Sequence, residues 1–247
     1  FMFDFSNQRV IVTGGTRGIG AGIAEAFLQA GATVIAVYSA NDAAANEFKN
    51  KNEQFSDRLD IQKQDISSSQ DVKNLFQYLD EKYPSLEVLV NNSGIRQDAI
   101  AALMTDEQWN KVLEVNLTGT FYMSREIIPR FMSGRFGRII NISSLGGDIG
   151  FQGQANYAAS KAGQLAIAKS LSKEVARKGI TVNCVSPGFI DTELIGDLPE
   201  EQRKEYLKMI PQKRFGKVEE VAHAVLFLAT REASYINGTS ITVAGGL

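Results

Sequence analysis

Apolar and polar positions along this chain follow two alternating rhythms. Short β-branched runs take turns with stretches whose apolar residues recur at helical spacing. RVIVT (Arg9–Thr13) predicts a first strand, and GIGAGIAEAFLQAG predicts a helix after it, stopped by Gly31. Further strands are expected at Ala32–Tyr38, Asp57–Gln64, LEVLVNN, Gly137–Ser143, GITVNCVS and TSITVA. Helices are expected at Asp42–Lys51, SSQDVKNLFQYLDEKY with a serine N-cap, Asp106–Phe131, Asn156–Lys178, Glu200–Met209 and Val218–Ala229. No repeat, low-complexity run or Pro/Gly-rich linker divides the 247 residues. The alternation predicts an α/β fold in one doubly wound domain, a seven-stranded parallel sheet with helices on both faces. In such sheets ligands bind beyond the carboxyl ends of the strands.

Composition narrows the function. With 44% apolar and 22% charged residues and a net charge of −2, the chain has no field that would draw it to nucleic acid or an anionic membrane. No apolar run approaches the ~20 residues of a membrane helix, and FMFDFSNQR lacks the pattern of a signal peptide. The single cysteine, Cys184, lies in the apolar run ITVNCVSP, where a buried strand position is expected; a cytoplasmic location fits. The single histidine, His223, sits in an amphipathic stretch, so a His/Cys metal cluster is excluded and no metal site is expected. Proton chemistry here has to use another side chain.

The first strand runs into TGGTRGIG, with Gly14, Gly18 and Gly20 spaced as G-x-x-x-G-x-G. Glycines between a first strand and a first helix let the backbone turn tightly and approach a pyrophosphate, which the helix N-terminus then meets with free N–H groups. The spacing differs from the commoner G-x-G-x-x-G dinucleotide fingerprint, but the physics is similar. Together with NNSG (Asn91–Gly94), VNLTG around Asn116, ISS (Ile142–Ser144), YAASK (Tyr157–Lys161) and SPGFIDT (Ser186–Thr192), the chain resembles the short-chain dehydrogenase/reductase family over essentially its whole length. TGGT stands where many members read TGAS, and NNSG where most read NNAG; both exchanges are small for small.

The resemblance implies a nicotinamide cofactor held by Gly14, Thr16, Arg17, Gly18, Ile19 and Gly20. It adds Asp65 and Ile66 at the adenine, Asn92 and Gly94 after the fourth strand, and Pro187, Gly188, Ile190 and Thr192 after the sixth. Asp65 has a second reading as an N-cap for the next helix. Ser39 stands where NAD-dependent relatives place an acid at the end of the second strand, and Arg17 is available to a 2′-phosphate. NADP(H) is the expected cofactor, with Asp42 three residues on as the complicating charge.

Tyr157 and Lys161 are one helical turn apart. A phenol titrates near ~10. A cation ~4 Å away, at an effective dielectric near 20, favours the phenolate by about 4 kcal/mol. The phenol is thus expected to fall by up to ~3 units toward neutrality before desolvation takes some back. In relatives this tyrosine donates the proton to the newly reduced oxygen, and the lysine also bonds the cofactor ribose. Ser144, thirteen residues before Tyr157, matches the family's catalytic serine in preference to Ser143. Asn116 matches an asparagine that interrupts helix bonding in relatives and holds a water linking the lysine to solvent; its plain alternative is a helix break.

Within the family, GQANYAASKAG, EVARKGITVN and SPGFIDTEL are most like bacterial reductases of 3-oxoacyl thioesters on acyl-carrier protein. Their basic docking residues beside the active-site mouth match Arg135 and Lys178, and residues 190–211 match a substrate lid. IRQDAIAALM departs at Arg96 and Gln97 from the ITRDNLLMRM of such reductases, leaving polyketide or hydroxyalkanoate thioesters open. The resemblance also implies a homotetramer, with the helices at 106–131 and 156–178 at one interface and 218–247 at another. Dehydrogenation of a sugar, polyol or steroid alcohol, and NADP sensing without turnover, are the competing functions.

Overall fold

The computed structural model describes residues 3–196 and 198–247. In chain order the elements are β1 (Arg9–Thr13), α1 (Gly18–Gln29), β2 (Thr33–Tyr38), α2 (Asp42–Lys51), β3 (Leu59–Lys63), α3 (Ser69–Lys82), β4 (Val88–Asn91), α4 (Asp106–Leu113) and α5 (Gly119–Gly134). They continue with β5 (Gly137–Ile142), α6 (Gly146–Ile149), α7 (Ala155–Val175), β6 (Ile180–Pro187), α8 (Glu193–Gly196), α9 (Glu200–Met209), α10 (Val218–Ala229) and β7 (Ser240–Val243). The strands form one seven-stranded sheet in the order β3-β2-β1-β4-β5-β6-β7, every pair parallel. This is the expected doubly wound Rossmann-type α/β fold.

Side-chain alternation along the strands divides the core in two. Val10, Val12, Val34, Ala36, Val88 and Val90 point to one face and pack with Ile23, Phe27, Val221 and Val225 of α1 and α10. Ile11, Ile35, Leu89, Ile139 and Val182 point to the other, against Leu75 and Phe76 of α3, Ile127 of α5 and Ala168 of α7. The chain reverses its winding between β1 and β4, so the loops after those two strands lie side by side at the switch point. Asn92 fixes them together. Its amide donates to the carbonyls of Thr13 and Gly14, while Thr13 Oγ1 accepts from the Asn92 and Ser93 backbone N–H groups at 3.0 Å.

The helix expected at Asp106–Phe131 is divided. Thr105 closes a capping box on α4. A π-helical turn at Glu114–Thr118 then precedes α5. The helix expected at Asn156–Lys178 ends as α-helix at Val175 and tightens to a 3-10 turn through Lys178. Ser68 is the N-cap of α3, accepting from Asp71 N at 3.2 Å, which leaves Asp65 outside that role. The short α6 and α8 were not expected, because four residues carry no readable period. Cys184 is buried in β6 and His223 lies exposed on α10, as expected.

Candidate active site

The glycine turn leaves β1 and delivers α1 end-on to the switch point. Gly18 has φ +53, and a Cβ there would project into open space, the form of a cradle for a bound group. A Cβ on Gly20 would overlap the Gly14 carbonyl oxygen, so the first turn of α1 closes on the loop only with glycine there. Thr16 is buried, Ile19 packs against the core, and Arg17 extends into solvent as the N-cap residue. An open turn, a helix N-terminus and an exposed arginine with no ion-pair partner among the described residues fit the phosphates of a dinucleotide.

At the end of β2, Ser39 is exposed. The complicating carboxylate of Asp42 is already engaged: Tyr38 Oη donates to Oδ1 at 2.9 Å and Lys63 Nζ to Oδ2 at 2.8 Å. These hydrogen bonds hold the Asp42 carboxyl below the usual range. Asp65 folds an Asx turn over Ser67, whose N–H and hydroxyl donate to Oδ1 at 2.9 and 2.7 Å. Ile66 is buried against Gly119. Pro187 ends β6, and Gly188 N donates to Val243 O at 3.0 Å. Ile190 is a core residue pinned by a parallel bridge to Gly216, and the Thr192 carbonyl caps α8.

The four residues expected to act in proton transfer converge beyond β4 and β5. Lys161 is buried, and its ammonium donates to the Ile142 carbonyl at 2.7 Å. Its Nζ lies 5.7 Å from the centre of the Tyr157 ring. A Cβ built on Gly94 would stand 3.4 Å from the same nitrogen. The Ser143 hydroxyl is buried and committed to the Lys161 carbonyl at 2.9 Å. The Ser144 hydroxyl, half-buried, accepts from Gly146 N at 3.0 Å and acts on the Tyr157 phenol, easing release of its proton. The Asn116 side chain clamps Ile95, accepting from its N–H at 2.8 Å and donating to its carbonyl at 3.0 Å, and also donates to Ser160 Oγ. It makes no direct bond to Lys161.

One expectation is overturned. The phenol is not drawn toward neutrality. Burial pushes Tyr157 above its ordinary value, against the Ser144 hydroxyl and the Arg96 charge, which pull it down. Burial also pushes Lys161 down, to about 8. Desolvation is the largest influence on both groups, and the ammonium is bound to the sheet at the Ile142 carbonyl.

Arg135 and Lys178 also differ from expectation. They precede β5 and β6, whereas Ser144 and Pro187 follow those strands, so within one chain they lie at the opposite ends of the strands from the site. Lys178 comes twenty-one residues after Tyr157, about 30 Å along a helical path. On the lid side, Ile190 and Ile210 are buried anchors of the frame, while Asp197 lies outside the described residues. Tyr206 of α9 stacks on Phe189 at 4.3 Å, and Phe189 meets Phe151 at 5.8 Å, next to Gly146 and Ser144.

Sequence reasoning missed several residues that build the site. Asn156 donates to the carbonyls of Gln97 and Gln108 at 3.0 and 3.1 Å. Asp98 joins Arg96, at 2.7 Å, to Gln154, at 3.1 Å. Gln164 is fully buried behind Lys161. Its position three residues after Lys161, on the same helix face, was the available signal.

The fold and this cluster define a nucleotide-binding oxidoreductase acting on a ketone or alcohol group. A family model described as "Enoyl-(Acyl carrier protein) reductase" matches residues 14–247. The chain is 43% identical to an acetoacetyl-CoA reductase of Shinella zoogloeoides, over 96% of each chain. It is 42% identical to a 3-oxoacyl-[acyl-carrier-protein] reductase of Rickettsia felis, over 100% of this chain and 99% of that one. A reductase of the same name from Salmonella typhimurium is 39% identical over 98% of each. The chain belongs to the short-chain dehydrogenase/reductase family, whose members use a nicotinamide cofactor. No helix among the described residues is long and apolar enough to cross a membrane, and no group of metal-ligating side chains occurs among them.

Proposed function

We propose that this protein reduces a 3-oxoacyl thioester to the 3-hydroxyacyl thioester with NADPH. When bound, the reduced nicotinamide supplies the hydride. Ser144 holds the substrate carbonyl beside the phenol, and Tyr157, neutral because burial holds its proton on, donates to the oxygen as it becomes an alkoxide. Lys161, charged below about pH 8, stabilises the phenolate left behind. Asn116 fixes the π turn and the Ile95 loop that flank the lysine. The observation that carries the reading is the convergence of Ser144, Tyr157 and Lys161 beside an open glycine turn. The printed names of the relatives supply the substrate class.

For NADPH over NADH, the support is the exposed Arg17, the exposed Ser39 and the engagement of Asp42 by Lys63 and Tyr38. A cytoplasmic location agrees with the lone buried cysteine. A homo-oligomer, most simply a tetramer, agrees with the exposed apolar Trp109 and Phe121 on α4 and α5 and with the exposed alanines 155, 159, 162 and 166 along α7. Antiparallel pairing of α7 between two copies would carry Lys178 of one toward Tyr157 of the other. Carrier-protein docking through Arg135 and Lys178 requires such a pairing.

The test is oxidation of NADPH and of NADH with acetoacetyl-CoA, beside sugars and ketosteroids. Turnover of the thioester with NADPH is expected. Turnover of sugars or steroids alone would replace the substrate class, and tight cofactor binding with no turnover would make the protein a sensor.

A further inference from the structure

Gln164, on α7, is fully buried and carries an amide. Burying an amide is unfavourable unless every polar atom finds a partner. Its Nε2 donates to the Asn116 main-chain carbonyl at 2.7 Å and to Thr120 Oγ1 at 3.0 Å. Thr120 Oγ1 also donates to the Asn116 carbonyl, at 2.8 Å. This carbonyl belongs to the π turn and meets α7 through Gln164. With Nε2 so fixed, Oε1 must face the other way, and it faces Lys161 Nζ at 3.5 Å.

We propose that Gln164 is a positioning residue for Lys161. It gives the ammonium a second acceptor besides the Ile142 carbonyl and links it through one side chain to the π turn at Asn116. The inference rests on the proposed function, since it gives Lys161 the task of stabilising the Tyr157 phenolate. Its consequence is that the charge state of Lys161 answers to the side chain at position 164. The titratable groups facing Lys161 are Tyr157 on its own helix and Cys184 on β6. Asp148, in α6, acts on Cys184, and Arg96 and Asp98, in the loop after β4, act on Tyr157. The π turn and α5 present Asn116 and Thr120, which do not titrate.

Two variants of similar size test it, Gln164→Leu and Gln164→Glu, with kcat/KM for acetoacetyl-CoA followed against pH. Leucine removes an acceptor for the ammonium, so the alkaline limb should move to lower pH and kcat should fall by about tenfold. Glutamate adds a negative charge beside the ammonium, so the limb should move to higher pH. Limbs moving in these opposite directions, with circular dichroism unchanged, support the proposal. Limbs that stay at the wild-type position, whatever happens to kcat or stability, overturn it. Should Gln164→Leu fail to fold, Gln164→Glu and the milder Gln164→Met decide by the same limb. If the wild-type enzyme does not turn over the thioester, it is the proposed function that has failed, a result read before any variant is made.

Discussion

Lys161 Nζ lies 5.7 Å from the centre of the Tyr157 ring, and its shortest bond, 2.7 Å, runs to the Ile142 carbonyl of β5 instead of to the phenol. The lysine is thus anchored to the sheet, with the tyrosine across from it on the same helix. Burial favours the neutral form of both groups. A phenol that keeps its proton at neutral pH is a proton donor in waiting. The nearby ammonium matters most once that proton has left, because opposite charges in a low-dielectric site attract far more strongly than in water.

Removing the hydroxyl at Tyr157 should therefore abolish reduction and spare cofactor binding. For Tyr157→Phe we expect kcat to fall by about 10²–10⁴-fold. NADPH affinity, read by nucleotide fluorescence, should stay near that of the wild type. A near-normal rate would mean that the proton comes from another group.

The pH dependence of kcat/KM should carry an alkaline limb near 8, because Lys161 is held down to about 8 by burial and loses its charge above that pH. The same group affects stability with a definite sign. Between about 8 and the ordinary lysine value, the unfolded chain keeps a proton that the folded chain has released. The contribution of Lys161 to unfolding free energy therefore rises with pH across that window. In denaturant titrations the stability of wild type relative to Lys161→Met should rise between pH 7.5 and 9.5; a difference that does not change with pH would assign the titration to another residue.

Cofactor choice should be reversible at one position. A carboxylate at the end of β2 repels a 2′-phosphate and accepts from a ribose hydroxyl. Ser39→Asp should lower kcat/KM for NADPH relative to NADH by about tenfold or more. An unchanged ratio would place the phosphate elsewhere.

Away from the site, Asp60 ties the edge strand β3 to the end of α3. Its carboxylate accepts from Tyr78, Lys82 and Tyr83 at 3.0, 2.9 and 2.8 Å and from Gln62 at 2.6 Å. Burial alone would raise this acid, but the bonds from Lys82, Gln62 and Tyr83 outweigh it and leave it lowered. A lowered acid contributes stability above its unfolded value, and that contribution is lost as pH falls through the folded value. Asp60→Asn should cost about 2 kcal/mol at pH 7 in urea unfolding, and the difference from wild type should shrink at pH 3. Equal stability at both pH values would remove Asp60 from the structural account.

The order of strands and helices was legible in the chain because each element repeats its own period, two along Val10–Val12 and three to four along Val72–Leu79. The residues at the carboxyl ends of the strands, from the glycine turn to Tyr157 and Lys161, were legible because close backbone approach and proton chemistry restrict the side chains that can serve there. What local sequence could not determine is how far buried groups stand from one another and from water. Only the packed structure set Tyr157 above its ordinary value, put Arg135 and Lys178 at the amino ends of their strands, away from the site, and gave the Asn116 carbonyl to Gln164. Each depends on segments distant in sequence meeting in space, and on the water their meeting displaces.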